Sequence, residues 1–197
     1  EALRELGLQK HIFPELLEGV GVGQNKHHIY TVYEHNLKSF EYAVDKKFPL
    51  HLRIASFLHD VGKPRTKRGE GVDSTFYGHQ VVGERMALTM LDRLRFPKDL
   101  TEKVEILVRE HMFVYDPDVV TEAGVRRLIR RVGAENTDDL LKLREADRIV
   151  SGVPKAQPYR LRYLKAMIEK VQKDPVHPKM LVIKGDAVME LLKIPPG

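Results

Sequence analysis

Apolar residues recur every three to four positions along most of this chain, and strict alternation over the length of a strand is scarce. The pattern predicts an all-α protein. Val32, Leu37, Phe40 and Val44 fit one helix between Tyr30 and Val44. Pro49 starts a second, about Leu50 to Asp60, whose Leu52, Ala55, Phe57 and Leu58 are apolar nearly all round the last turns, as in a buried central helix. Gly62 and Pro64 end it. The segment from Lys63 to Gly78, rich in cations and glycine, reads as a loop. Further helices are expected over about His79 to Arg95, with Met86 and Met90 as core packing, and over Asp99 to Met112, with Leu100, Val104, Leu107, Val108 and His111 on one stripe. Thr121 and Thr137 are the expected N-caps of two more, the second with Asp138 and Asp139 in its first turn. Pro158 to Lys173 and Gly185 to Lys193 read as the last two helices.

Composition narrows the chemistry. The chain has no cysteine, which excludes thiolate zinc clusters, iron–sulfur sites, disulfides and cysteine nucleophiles. Any metal must sit on histidine and carboxylate. Lys+Arg 33 against Asp+Glu 28 gives a formal charge of +5, a basic balance compatible with an RNA partner. No stretch approaches the roughly 18 apolar residues needed to cross a bilayer, and no basic-then-apolar leader opens the sequence, so no membrane partner and a cytoplasmic location are expected. The first residue is Glu1 rather than Met, which leaves open that the chain is a fragment of something longer.

The decisive residues are polar ones that interrupt the apolar stripes. His59 and Asp60 are adjacent at the end of the buried helix, His35 precedes them on an apolar-faced helix, and Asp147 follows on the face of Leu140 and Leu143. Two ionised carboxylates facing a core imply a cation or a hydrogen-bonded pair, because burying an unpartnered charge costs several kcal/mol. Imidazole with carboxylate suits a divalent ion such as Zn, Mn, Fe, Ni or Co, without selecting among them.

His35, His59-Asp60 and Asp147 in this order resemble the HD superfamily of metal-dependent phosphohydrolases. Gly21-Val22-Gly23-Gln24 leading through His27-His28 to His35, Tyr77-Gly78-His79 with Gly83, Leu143-Arg144-Glu145-Ala146-Asp147 and Ile183-Lys184-Gly185-Asp186 extend the resemblance over most of the chain. They look like the C-terminal half of bacterial CCA-adding tRNA nucleotidyltransferases and poly(A) polymerase-like proteins. The Gly-Ser and paired-aspartate signature of the nucleotidyltransferase head is not found; Asp116-Pro117-Asp118 has a similar spacing but sits in a proline turn. This chain alone is therefore not expected to add nucleotides.

The resemblance implies an HD-domain helical bundle over residues 26–155, preceded by a helical lead-in over 1–25 and followed by a helical extension over 156–197. It implies that His35, His59, Asp60 and Asp147 hold one divalent ion, with Ni, Mn, Co, Fe, Zn or Mg as candidates. His79 and His111 look like ligands of a second ion bridged by Asp60, or else are core histidines or phosphate contacts. Lys63 resembles a phosphate-facing lysine, and Arg65 is a second candidate at the mouth of the site. The implied activity is hydrolysis of a nucleotide or RNA-end phosphate, such as a 2′,3′-cyclic phosphate. The alternative is a module that grips RNA for a separate catalytic head. Arg126, Arg127, Arg130 and Arg131, clustered on one short helix, are either a solvated face or contacts to the backbone of an RNA such as tRNA. Counting ligands alone, Asp60→Asn is expected to abolish metal binding and to leave folding nearly unaffected.

Overall fold

The structure is a computed structural model and describes residues 2–25, 28–152, 159–173, 189, 192 and 193. The longer helices are α1 (Val32–Asp45), α2 (Leu50–Leu58), α3 (His79–Arg93), α4 (Lys98–Glu110), α5 (Glu122–Val132), α6 (Thr137–Ile149) and α7 (Tyr159–Lys173). Single helical turns over Ala2–Glu5, Gln9–Ile12 and Pro14–Leu17 precede them. No strand occurs among the described residues, and the protein is all-α as the periodicity predicts. None of the described helices is long and apolar enough to cross a membrane. His27 and most of the helix expected over 185–193 lie outside the described residues.

Helix α1 begins on a capping box. The Glu34 amide donates to Thr31 Oγ1, and the Thr31 amide donates back to the Glu34 carboxylate at 2.9 Å. That fixed start sets His35, Ser39 and Ala43 one turn apart on the buried face. Helix α2 is the centre of the molecule: it packs on α1, α4 and α6 and buries Leu52, Ala55 and Leu58. Leu52, Leu107 and Leu143 are fully buried, each contributing about 1.5–3 kcal/mol by leaving water. Helix α7 lays Leu161, Leu164, Ile168 and Val171 against α5 and α6 in the same core.

Three local expectations need correction. The segment after α2 is not all loop: Lys63–Thr66 forms a helical turn, Gly71–Asp73 a 3-10 turn, and Arg68 pairs with Thr75 through two amide–carbonyl bonds of 2.9 Å. Pro64 favours that first turn, since its missing N–H has no partner to lose there. Thr137 is the first residue of α6 rather than its cap; its hydroxyl donates to the Gly133 carbonyl at 2.8 Å, and Asn136, already right-handed after a 3-10 turn, leads straight into the helix. Helix α2 stops at Leu58, so His59 and Asp60 sit in the turn that leaves it. Thr121 does cap α5, accepting from the Gly124 amide at 3.1 Å.

The turn after α2 meets the start of α3 main chain to main chain. A Cβ on Gly62 would lie 2.3 Å from the His79 carbonyl oxygen and 2.5 Å from the Gly83 nitrogen, closer than any side chain permits. Glycine alone fits there.

Candidate metal centre

Helices α1, α2, α3, α4 and α6 each deliver one part of a single buried cluster. His35 lies one turn into α1, His59 and Asp60 follow α2, His79 opens α3, His111 follows α4, and Asp147 sits in the last turn of α6. All six are buried. One atom each from His35, His59, Asp60 and Asp147 lie within 4.8 Å of one another, and Asp60, His79 and His111 form a second set with the same spread. Asp60 belongs to both. Its Oδ2 lies 3.5 Å from His35 Nε2 and 3.3 Å from His59 Nε2, while its Oδ1 lies 3.4 Å from His79 Nε2 and 3.6 Å from His111 Nε2.

Backbone carbonyls fix how the imidazoles present themselves. His59, His79 and His111 each donate from Nδ1 to the carbonyl three residues earlier: Ser56 at 3.0 Å, Phe76 at 2.7 Å and Val108 at 2.7 Å. In the neutral rings Nε2 is then a lone pair pointing into the centre, the tautomer a metal ligand requires. His79 Nε2 and His111 Nε2 stand 3.1 Å apart, so two lone pairs face each other unless a proton or a metal cation lies between them. His59 Nε2 makes no hydrogen bond of good geometry although Asp60 Oδ2 is 3.3 Å away, and Asp147 Oδ1 lies farther off at 3.8 Å. The residues fit a divalent cation at both sets.

The electrostatics ask for positive charge. Burial works against charging His59, yet the Asp60 and Asp147 carboxylates outweigh it and hold its pKa up at about 10. Burial likewise opposes ionisation of Asp60 and Asp147, but Lys63 beside the first and Arg144 beside the second keep both well below the usual carboxylate range. Lys63 Nζ lies 2.6 Å from Asp60 Oδ2, and Arg144 Nη1 lies 2.6 Å from Asp147 Oδ2. Burial first, then the neighbouring His59 and His79, pushes His111 down to about 4. His28, edge-on to His35 at 4.8 Å between ring centres, is pushed down to about 3 by burial, Lys63 and His35.

Above the cluster opens a cavity of about 320 Å³ with Asp60, Lys63, His79, His111 and Asp147 in its lining. Arg65 is not at this mouth. It forks onto Glu18 at 2.7 and 2.8 Å, because two positions along a helical turn point away from Lys63. Nor are the four arginines of α5 equivalent: Arg131 pairs with Glu110 at 2.5 Å and Arg126 lies 3.8 Å from Glu122, while Arg127 and Arg130 are exposed. Sequence reasoning assigned no role to Gln24 or Arg144. Gln24 accepts from Lys63 Nζ at 2.7 Å across 39 positions, a pairing with no local signal. Arg144 stands three residues before Asp147 on α6, a spacing that brings side chains together and was legible.

A family model described as HD domain matches residues 27–152. The A-adding tRNA nucleotidyltransferase of Deinococcus radiodurans is 34% identical over 203 residues, covering 99% of this chain and 46% of the relative. The CC-adding tRNA nucleotidyltransferase of Thermus thermophilus is 35% identical over 99% of this chain and 44% of the relative. The Multifunctional CCA protein of Nitrosococcus oceani is 32% identical over 68% of the chain and 33% of the relative. The chain thus spans less than half the length of the curated relatives it matches.

Proposed function

The chain belongs to the HD domain family, and from that premise we propose that it is a metal-dependent phosphohydrolase acting on a nucleotide or RNA-end phosphate, such as a 2′,3′-cyclic phosphate. The observation that carries this reading is the meeting of two His/Asp sets at Asp60, on the floor of a cavity that Lys63 also lines. His35, His59, Asp60 and Asp147 would hold one divalent ion, and His79, His111 and Asp60 a second. Such an ion supplies Lewis acidity to a phosphoryl oxygen and lowers the pKa of water toward neutrality, so neither Ser nor Cys is needed as nucleophile. The Ser56, Phe76 and Val108 carbonyls hold the proton of each neutral ring on Nδ1 and turn Nε2 of the three imidazoles toward the centre, where on His59 an ion would take the place of a proton. Arg144 orients Asp147. Lys63 balances Asp60 and, with a second proton on Gln24, offers its third ammonium proton to a phosphate oxygen in the cavity.

The test is metal analysis of the purified chain followed by a chromogenic bis-phosphodiester assay with Mn, Ni, Co and Mg. Saturating metal should give about two ions per chain in the wild type and about one in His79→Ala and His111→Ala. Binding only to the folded state should also raise the melting temperature, by the equivalent of about 2.7 kcal/mol at a hundredfold excess over Kd, and EDTA should reverse it. No uptake and no hydrolysis with any of the four ions rules the reading out.

A second reading, an RNA-gripping body that serves a separate catalytic head, is favoured by the names of the relatives that cover 99% of the chain. A cytoplasmic location goes with it. Its contacts would be Arg127 and Arg130, exposed on α5, with Arg126 and Arg131 partly committed to carboxylates. Changing Arg127 and Arg130 to Gln should weaken tRNA binding and flatten log affinity against log salt by about 0.9 per lost duplex contact. Bis-phosphodiester hydrolysis should not change. An unaltered slope in a filter-binding titration would make the cluster a solvated face.

A further inference from the structure

The cavity above Asp60 carries more than two metal-binding sets need. Three cations line it. Lys63 is committed to Asp60 and Gln24, and Arg144 to Asp147 and, at 3.5 Å, to the Tyr115 hydroxyl. Arg148, next to Asp147 on α6, has neither an ion pair nor a side-chain hydrogen bond among the described residues, and its Nε is buried without an acceptor. A buried guanidinium N–H left unpaired calls for an explanation, since such groups are nearly always satisfied. Its planar fork is the donor geometry that suits a phosphate.

At the lip of the same cavity stands Tyr77, 85% exposed, with Met112 beyond it on the side of α4. No packing requirement puts an aromatic ring there, yet its backbone is pinned on both sides. Phe76 is buried, with Lys63 Nζ 5.6 Å from its ring centre, and its carbonyl accepts from His79 Nδ1. Gly78, left-handed at φ 76°, turns the chain into α3. The backbone that carries the ring is thus held at the mouth by fixed neighbours. A volume of about 320 Å³ falls within the roughly 300–1,000 Å³ of small-ligand pockets.

We propose that this cavity is a nucleoside-phosphate subsite, in which Arg148 binds a phosphate oxygen and the Tyr77 ring stacks on the base. The inference deepens the phosphohydrolase reading and rests on it for the position of the phosphate at Asp60. A base on Tyr77 makes the site select nucleosidic phosphates over simple ones without reading their sequence, because every base offers a π-face. The same chemistry is presented by a free nucleotide and by an RNA end.

Isothermal titration with Mn present tests it on the wild type and on Tyr77→Ala, Tyr77→Phe and Arg148→Gln. The probes are adenosine 5′-monophosphorothioate, slow to hydrolyse, and ribose 5-phosphate, which lacks the base. The wild type should prefer the adenosine compound. Tyr77→Ala should weaken it by roughly 5- to 100-fold and leave ribose 5-phosphate unchanged, while Tyr77→Phe binds both as the wild type does. Arg148→Gln should weaken both probes, by about 10- to 100-fold. Circular dichroism of each variant separates these losses from misfolding. Equal wild-type affinity for the two probes, or adenosine binding indifferent to Tyr77→Ala, overturns the base subsite; unchanged binding in Arg148→Gln overturns the phosphate anchor. A trinucleotide with a terminal phosphate that binds more tightly than the mononucleotide, with the same Tyr77 dependence, assigns the site to RNA ends, and equal affinity assigns it to free nucleotides; both support the subsite. Tyr77-dependent binding without turnover of any phosphoester keeps the subsite and removes the hydrolase reading, whereas bis-phosphodiester turnover with no Tyr77 dependence does the reverse.

Discussion

Asp60→Asn is expected to strip the protein of metal, to lower phosphoester hydrolysis by more than about 100-fold, and to destabilise the chelated fold. The first two effects follow because Asp60 is shared by both ligand sets; losing it should exceed the 10–100-fold typical of an outer-shell partner. The third departs from what ligand counting suggests. Lys63 is buried with its ammonium 2.6 Å from Asp60, and the amide substitution leaves that charge with neutral oxygens alone, those of the new amide and of Gln24. Removing one partner of a buried pair costs about 3–5 kcal/mol. Urea denaturation in EDTA should show the loss, and Asp60→Asn with Lys63→Met should recover much of it without recovering metal. Wild-type metal content in the Asn variant would refute the ligand assignment.

The chelated protein should be most stable near pH 6.5 and weaken on both sides. Burial, with His59 and His79, pushes His111 from 6.5 down to about 4. Between those values the unfolded chain takes up a proton that the folded chain refuses, so stability falls with falling pH, by roughly 3 kcal/mol from this group alone. His28, pushed down to about 3, acts in the same direction. His59 has the opposite sign: held up at about 10, it keeps in the folded state a proton that the unfolded chain loses above 6.5, and stability drains away as pH rises through that window. Asp60 and Asp147, held below the ordinary 3.8, stabilise fully above that pH and lose their contribution only as pH falls through their folded values. A saturating divalent ion should flatten the alkaline side, since it takes the place of the proton on His59. Denaturation midpoints unchanged from pH 5 to pH 9 in EDTA would contradict this balance.

Periodicity made the helices and the inward polar residues readable because each is a property of one segment. Leu52, Ala55 and Leu58 announce a helix apolar on several sides, and α2 is indeed wrapped by α1, α4 and α6. What the segments could not reveal are partners chosen by tertiary proximity. Arg65 reads as a site cation on sequence alone, but Glu18, 47 positions away, pairs with it, and Glu110 pairs with Arg131 at the end of the arginine cluster. Arg148 went unnoticed because a cation beside Asp147 on α6 has no helical-face signature of its own. Thr137 has the residue type of a cap, but the 3-10 turn before it puts Asn136 at the cap position, and no side chain caps this helix.

The contact at Gly62 governs something the ligands themselves do not. His59 and Asp60 ride on the turn after α2 and His79 on the first turn of α3, and at their junction no side chain separates the two main chains. The gap between the two halves of the centre is therefore a gauge set by stacked backbones, much as sleepers set the gauge of a track. Exchanging a ligand alters the chemistry and leaves the gauge intact, whereas one added methyl at position 62 widens the gauge while every ligand residue keeps its identity. Sensitivity to mutation is then not concentric about the cluster: among its least tolerant positions is a residue that offers no donor atom at all.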